Sequence, residues 1–137
     1  EGRESFVLRC EERSAATDRL LQQHGLHDWA FITACNPRSR VLTPAENATR
    51  MARLVAAVDD LGHPYLAGSG EGADGQWPAE PSLLVLGIPE ADAIRLATAF
   101  DQHAILAGRR GEPARLVWIP AADAIESGCG TGPIRKY

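Results

Sequence analysis

The stretch that decides the fold is WAFITACNPRSRVLTPAENATRMARLVAAVDDL, which runs from Trp29 to Leu61. Its first seven residues are apolar apart from Thr33, and this pattern predicts a central strand that is buried on both faces. Asn36 and Pro37 follow, and Pro37 cannot extend a sheet ladder because it lacks the N–H group. The polar turn NPRSR should therefore leave the sheet at the end of the strand, a few residues before a helix begins.

The predicted helix has its own start signal. Thr43 suits the capping position, Pro44 suits the first helical position, and Glu46 completes a capping box. Asn47 lies on the core-facing side of the first turn, beside backbone N–H groups that have no partner within the helix, and Arg50 flanks the same edge. The apolar stripe that defines this side recurs at spacings of three and four: Met51, Leu54, Val55, Val58 and Leu61.

Patterns outside this stretch complete a single α/β domain, which we predict to have a mixed sheet of about five or six strands and about three helices, in the order β-α-β-α-β-β-α-β-β. Strands 29–35 and 82–88 should form its centre, and the connection GRRGEP should turn the last two strands into a hairpin. The domain should span residues 1–120, with 121–137 as a loosely packed tail. The other predicted elements are strands over 5–10, 63–67, 103–107 and 115–119, a helix from Ser14 or Thr17 to His24, and a helix over 89–100.

The composition argues against several classes of partner. The 137 residues carry a formal net charge of −4 and no basic stripe, so a nucleic acid is not expected as a partner. No apolar run approaches the roughly 20 residues of a membrane span, so no membrane contact is expected. Cys10, Cys35 and Cys129 are widely spaced and form no CxxC pair, which favours a reducing compartment and hence the cytoplasm.

A bound cofactor or metal is not expected either. Gly70, Gly72 and Gly75 match the letters GxGxxG, but a dinucleotide-binding loop needs a helix to follow at once, and here Trp77 and Pro78 follow. The four histidines are scattered without the spacing of metal ligands. We therefore predict no cofactor and no metal.

Four motifs follow one another along the chain: FITACNPRS, NATR, WPAEPS and FDQHA. In order and spacing they resemble the bacterial family of unknown function DUF3293, whose pattern is F-I-T-A-W-N-P-x-S, N-x-x-R, W-x-E-x-S or W-x-x-E-x-S, and F-G-Q-x-A. Two positions depart from that pattern, because Cys35 stands where Trp is usual and Asp101 where Gly is usual. The family brings no known activity, so the resemblance narrows the fold and the candidate site and leaves the function open. The resemblance extends over nearly the whole predicted domain and carries over these positions: Asn36, Pro37, Ser39, Asn47, Arg50, Trp77, Glu80, Ser82 and Gln102.

The junction between the strand end and the helix start is the candidate site. In open α/β sheets ligands bind beside such junctions, and the free N–H groups of a helix start favour an anion. We expect a small polar or anionic ligand there, a class that includes nucleotide-like molecules. Glu80 is the candidate catalytic residue, as a general base in hydrolysis or group transfer, although the residues do not decide whether the protein is an enzyme. The expected ligand-binding residues are Asn36, Ser39, Asn47, Arg50, Ser82 and Gln102.

A second hypothesis gives the same residues a structural role. Asn and Ser often bond the backbone of a turn, a buried amide such as Asn47 can be satisfied by a neighbouring turn, and an arginine such as Arg50 is often solvated or ion paired. The protein is then a non-catalytic protein-interaction or regulatory module. The two hypotheses differ in geometry: a ligand site requires Asn36, Asn47 and Glu80 to face an open cavity, whereas bracing requires them to meet ordered backbone.

Overall fold

The computed structural model of the protein describes residues 6–70 and 80–120. The predicted tail over 121–137, Trp77 and most of the glycine loop lie outside the described residues. Within the described ranges the chain forms three α-helices, a short 3₁₀ turn and five strands, in this order: α1 (Ala15–His24), β1 (Asp28–Ile32), the 3₁₀ turn (Pro37–Ser39), α2 (Pro44–Leu61), β2 (Tyr65–Gly70), β3 (Glu80–Leu86), α3 (Glu90–Ala99), β4 (Ala104–Arg109) and β5 (Arg115–Trp118).

The strands form one sheet in the order β2-β3-β1-β4-β5, and every pair of neighbours is antiparallel. β1 is the central strand, and its Phe31 lies opposite Leu84 of β3 and Leu106 of β4. The connection through α2 joins β1 to β2 across β3, and the connection through α3 joins β3 to β4 across β1. These two interleaved units give the β-α-β-β-α-β arrangement of ferredoxin-like folds, extended by α1 and by the hairpin strand β5.

This architecture confirms the predicted class, a single α/β domain with β1 and β3 at the centre of its sheet and a hairpin between β4 and β5. The sheet differs from the prediction in one respect, because it is antiparallel and not mixed. β1 and β2 run in the same direction but do not pair, since β3 inserts between them; β3 and β4 are separated by β1 in the same way. Strand direction was therefore decided by pairing between distant segments and not by the helical connections.

The predicted first strand is also absent from the part of it that the structure describes, residues 6–10. Cys10 makes an isolated parallel bridge with Ala114, and the Glu11 N–H donates to the Ala114 carbonyl at 2.7 Å. Leu8 and Cys10 are partly buried against the apolar layer that contains Leu21, whereas Phe6 and Val7 are 36% and 67% exposed. The segment therefore packs on the domain through its alternating apolar residues but does not join the sheet as a strand.

Side chains of the sheet alternate between two apolar layers. On one face the sheet packs against α2 and α3, and on the other it packs against α1, whose Leu21 is fully buried. The central strand contributes Ala30 and Ile32 to the first layer and Trp29 and Phe31 to the second. Both faces of β1 are therefore covered. The residues that follow β1 lie next to α2 and to the end of α3.

The start of α2 is built as the sequence predicts. The Thr43 hydroxyl accepts from the Glu46 N–H at 3.1 Å, and the Glu46 carboxylate accepts from the Thr43 N–H at 2.9 Å, which completes the capping box. The helix ends at Gly62, whose φ of +82° suits glycine. This fixed start places Asn47 and Arg50 in the first two turns, next to the end of β1.

Candidate functional site

The chain leaves β1 through a turn with unusual backbone geometry. Asn36 and Arg38 both have left-handed backbone, with φ of +46° and +53°, a conformation that Asn tolerates better than most residues with a side chain. The Arg38 N–H donates to the carbonyl of Asp101 at 2.7 Å, and the Arg40 N–H donates to the carbonyl of Pro37 at 2.9 Å. The turn after β1 is thereby fixed to the turn after α3.

The side chains of Asn36, Asn47 and Glu80 form a cluster that we call the amide network. The Asn36 N–H donates to Asn47 Oδ1, and Asn36 Oδ1 accepts from Asn47 Nδ2, both at 2.9 Å. Asn36 Oδ1 also accepts from the Leu42 N–H at 2.9 Å, and Asn36 Nδ2 donates to Glu80 Oε2 at 2.7 Å. Asn36 and Glu80 are buried, so these bonds replace lost hydration. The amide network joins the end of β1 to the start of α2 and the start of β3.

Arg50 makes a second connection from α2. Its Nε donates to the carbonyl of Ala34 at 2.6 Å, and its Nη2 donates to the carbonyl of Phe100 at 2.5 Å. The guanidinium carbon lies 5.8 Å from the centroid of the Phe100 ring, which is within the range of a cation–π contact. These two bonds fix the position of Arg50. They do not use all of its donors, because a guanidinium group has five N–H donors.

Two further buried side chains complete this junction. The Thr33 hydroxyl donates to the carbonyl of Pro81 at 2.6 Å and accepts from the Cys35 N–H at 3.1 Å. Gln102 Nε2 donates to the carbonyls of Cys35 and Phe100, at 3.1 and 3.2 Å. Thr33 was not among the predicted site residues, although a single hydroxyl in an otherwise apolar strand was a signal for such a role.

Met51 fills the space beneath the end of β1. Its sulfur accepts from the Ala34 N–H at 3.4 Å and lies 3.8 Å from the Thr33 hydroxyl. A thioether is a weak acceptor, but it gives a partner to an N–H group just past the end of the strand. The Met51 side chain therefore belongs both to the core and to the junction.

Most of the predicted site residues come together in the structure. Three of them form the amide network, and Ser82 joins it because its hydroxyl donates to the carbonyl of Glu80 at 3.0 Å. Arg50 and Gln102 form a second group, since both donate to the same carbonyl. Ser39 lies in the 3₁₀ turn between β1 and α2. These bonds join protein groups to one another, and the binding and catalytic roles of these residues stay predictions.

A cavity of about 300 Å³ lies beside the amide network. We call it the arginine cleft, because its lining consists of Pro37, Arg38, Arg40, Arg50 and Asp101. Among the predicted site residues whose side chains are described, Arg50 is the one that lines it. Three arginines and one aspartate thus line the cleft. Across residues 6–70 and 80–120, no carboxylate lies within ion-pair distance of any of the three.

Asp101 occupies a backbone position that favours glycine. Its φ is +57°, so it shares the left-handed conformation of Asn36 and Arg38. This geometry accounts for the Gly that is usual here in the sequence pattern and for the tolerance of Asp, whose short polar side chain suits such positions. Of the four residues other than glycine with positive φ in the described ranges, three therefore lie at this junction. Such clustering is typical of sites where the fold holds a particular geometry.

The charge of Arg40 also reaches the start of α2. The N–H and hydroxyl of Thr43 both donate to the Glu46 carboxylate, and these bonds lower the pKa of Glu46 below its ordinary value of 4.5. The positive charge of Arg40 lowers that pKa a little further. Glu46 is therefore ionised at neutral pH, as its part in the capping box requires.

A second cavity, of about 340 Å³, lies at the opposite end of β1 and is lined by the start of β1, residues 88–90 where α3 begins, the end of β4 and the start of β5. We call it the paired cavity, because its charged residues form two ion pairs. Arg109 Nε lies 3.4 Å from Asp28 Oδ1, and Arg115 Nη2 forms an ion pair with Glu90 Oε1. The hydrogen bond from Arg115 to the Glu90 carboxylate raises the pKa of the Arg115 guanidinium. The arginines of this cavity are therefore already matched by carboxylates.

The described residues, 6–70 and 80–120, lack two further features. They contain no group of three or more His, Cys, Asp and Glu side chains arranged to hold a metal ion. No helix in the same part of the chain combines the length and the apolar character that a membrane crossing requires.

The fold and the site define a ferredoxin-like α/β domain in which a buried amide network stands beside an arginine-lined cleft. Residues 32–105 match the family described as "Protein of unknown function (DUF3293)". This match covers more than half of the chain, so the protein belongs to the DUF3293 family, as the four motifs indicated. The matched range contains all residues of the amide network and of the arginine cleft. Neither a curated protein nor a solved structure matches the chain.

Proposed function

We propose that the protein is a binding domain for a small anionic ligand, which occupies the arginine cleft. The observation that carries this proposal is the set of three arginines, Arg38, Arg40 and Arg50, that line a cavity of about 300 Å³. Guanidinium groups offer planar, forked donors that match carboxylate and phosphate oxygens. A volume of this size is at the lower end of the range found for small-molecule sites.

The geometry of Arg50 supports a binding role. Two backbone carbonyls hold its guanidinium group, so little side-chain freedom remains to be lost when a ligand binds. Arg50 also lines the cleft, and its guanidinium group has further N–H donors beyond these two bonds. Arg38 is held through its backbone, which is left-handed and whose N–H donates to the carbonyl of Asp101. A site with donors fixed in advance binds an anion more tightly than the same donors on flexible chains.

The amide network then acts as a support. Asn36 directly precedes the 3₁₀ turn that carries Arg38, and its side chain is bonded to α2 and β3. Glu80 is 2% exposed and its carboxylate accepts from Asn36, which supports a positioning role more than the predicted role of general base. Asp101 is the one carboxylate among the residues lining the cleft. This composition favours binding over catalysis.

The test is a titration of the protein with inorganic phosphate and sulfate, followed by calorimetry or by backbone amide shifts. Arg38→Gly keeps the left-handed backbone and removes the guanidinium group, so we expect it to weaken phosphate binding by about tenfold. Arg53→Gln is the matched control, because Arg53 is exposed on α2 and is not part of the cleft lining. Equal affinity in wild type and Arg38→Gly would refute the proposal.

The runner-up function is a protein-interaction module, and one observation favours it. The side chains of the amide network bond one another and the backbone, which is the geometry expected of a brace. Under this alternative the substitution Arg38→Gly leaves the response to phosphate unchanged, and Asn47→Ala lowers the melting temperature without any effect on ligand. Under the anion-binding proposal the two substitutions act on separate properties, affinity for Arg38 and stability for Asn47.

A further inference from the structure

We infer that Asp101 makes the arginine cleft selective for a phosphate ester whose organic part bears a hydroxyl group near the phosphate. The inference rests on the proposed function and names the class of ligand. It starts from the charge of the lining, in which three guanidinium groups and one carboxylate leave a net charge of +2. A phosphate monoester carries about −1.5 to −2 charges at neutral pH and matches this value, whereas a carboxylate carries half as much.

Asp101 decides what lies beside the phosphate. An ionised carboxylate accepts hydrogen bonds and cannot donate them, so it repels phosphate oxygens and attracts a donor group. A bound phosphate should therefore lie towards the arginines, with a donor on the ligand turned towards Asp101. A hydroxyl group supplies this donor and leaves the ligand at its full negative charge. An ammonium group would add a positive charge to the ligand, whose net charge would then match the net charge of +2 on the lining less well.

The size of the cleft fits the same class. A volume of about 300 Å³ equals that of about ten water molecules in the liquid. This is enough for a phosphate group and a short polyol or a pentose. A nucleotide would place its phosphate and sugar in the cleft and its base outside. Small sugar phosphates and polyol phosphates are therefore the best-matched ligands.

Asp101 can be tested without disturbing the fold. Its φ of +57° is one that Gly adopts freely and Asn adopts readily, so Asp101→Gly and Asp101→Asn place no new strain on the backbone. The carbonyl that accepts from Arg38, and the N–H that donates to the carbonyl of Thr98 at 3.1 Å, belong to the main chain and survive both substitutions. The carboxylate is thus removed alone.

The experiment compares methyl phosphate with glycerol 3-phosphate, two esters of similar charge of which only the second carries hydroxyl groups. Wild type should bind glycerol 3-phosphate about fivefold more tightly than methyl phosphate, because a hydrogen bond to a charged acceptor is available only to the polyol ester. In Asp101→Gly this ratio should fall to about one, while methyl phosphate binds more tightly, since a negative charge has left the cleft. Asp101→Asn should give an intermediate ratio, because its amide oxygen still accepts a hydrogen bond.

The possible results separate this inference from the proposed function. If wild type and the Arg38→Gly variant respond equally to every phosphate compound, the proposed function itself fails. If binding depends on Arg38 but the ratio of the two esters is the same in wild type and Asp101→Gly, only the selectivity of Asp101 is refuted. Tighter binding of ethanolamine phosphate than of glycerol 3-phosphate to wild type would also overturn the inference, because the preferred donor would then be an ammonium group.

Discussion

The two ends of the central strand carry cavities of similar size that both contain arginines, yet their charges are arranged differently. In the paired cavity Arg109 and Arg115 each have a carboxylate partner, Asp28 and Glu90. The arginine cleft is lined by three arginines and a single acidic residue, Asp101. None of these three arginines forms an ion pair with a carboxylate of the described ranges. Exposed ion pairs add little stability, but they occupy the donors that a ligand would need. Arginines without a carboxylate partner therefore indicate a binding site more strongly than arginines that are already ion paired.

The backbone differs between the two ends as well. The arginine cleft lies on two left-handed turns that buried side chains hold in place, whereas the paired cavity lies where β4 and β5 join in a hairpin and α3 begins. A fold that contains a strained turn must offset its cost elsewhere, and here the amide network supplies the compensating bonds. The comparison therefore predicts a large dependence of stability on the network at one end and a small dependence on the ion pairs at the other.

The largest expected effect is on stability. Asn36→Ala removes the amide that donates to Glu80 and accepts from Asn47 and Leu42, and it places Ala at a φ of +46°, which Asn tolerates better, so we expect a loss of about 3 kcal/mol in the free energy of unfolding. Urea denaturation of the variant and the parent protein measures this difference in the free energy of unfolding. Asn36→Gly should retain much of this loss, because it relieves the backbone but also lacks the amide. Asp28→Asn at the paired cavity should cost about 0.5 kcal/mol or less. A loss below about 1 kcal/mol for both Asn36 variants would mean that the network does not brace the turn.

The second effect is on binding and contrasts the two cavities directly. Arg40→Gln should weaken phosphate binding by about tenfold, because it removes one of three positive charges from the cleft. Arg109→Gln removes a guanidinium group that is already matched by Asp28, and it should leave the affinity unchanged. Calorimetric titration of both variants provides the measurement. Equal losses would show that phosphate responds to overall charge and not to a site.

A third experiment removes the ion pairs that distinguish the paired cavity from the arginine cleft. The double substitution Asp28→Asn and Glu90→Gln frees Arg109 and Arg115 from their partners. The paired cavity should then gain weak affinity for phosphate, on the order of millimolar, visible as new shifts of the amides of β4 and β5. The parent protein serves as the control. Without such shifts in the double variant, unpaired arginines alone do not make a site, and the fixed turn beside the arginine cleft becomes the deciding feature.

The smallest effect concerns pH. The pKa of Glu46 is lowered in the folded protein, chiefly by the two bonds from Thr43, so its contribution to stability is present above its ordinary value of 4.5 and is lost as the pH falls through the lowered value. Glu46→Gln should therefore lower the melting temperature at neutral pH and make less difference in acid. Melting curves of both proteins at about pH 7 and about pH 3 test this sign. A difference that grows in acid would contradict it.

Local features of the fold were predictable from the sequence, and long-range ones were not. The capping box of Thr43 and Glu46 depends on residues three apart, and the apolar run after Trp29 marks a strand whatever its neighbours are. The direction of pairing depends on contacts such as that between Phe31 and Leu84, which no local pattern encodes. The prediction of a mixed sheet was wrong for this reason, although the predicted class was correct.

The candidate site divides in the same way. The motifs pointed to Asn36, Asn47 and Glu80, and the structure does bring them together. Their mutual bonds could not be foreseen, because side-chain amides serve ligands and turns equally well. The cleft beside them depends on Asp101, which the sequence singled out as a departure from glycine. That departure was the available signal, since a position that usually carries Gly indicates a positive φ.

The thioether of Met51, next to the end of β1, can serve as a spectroscopic probe. Met51 is the single methionine of the chain, and its sulfur contacts the Ala34 N–H and the Thr33 hydroxyl, close to the place where Arg50 is held. Isotopic labelling of methionine methyl groups would therefore give one resonance, which needs no assignment and originates at the junction of strand, helix and cleft. Its position and line width would report, in a single spectrum per titration point, whether occupancy of the cleft is felt in the core.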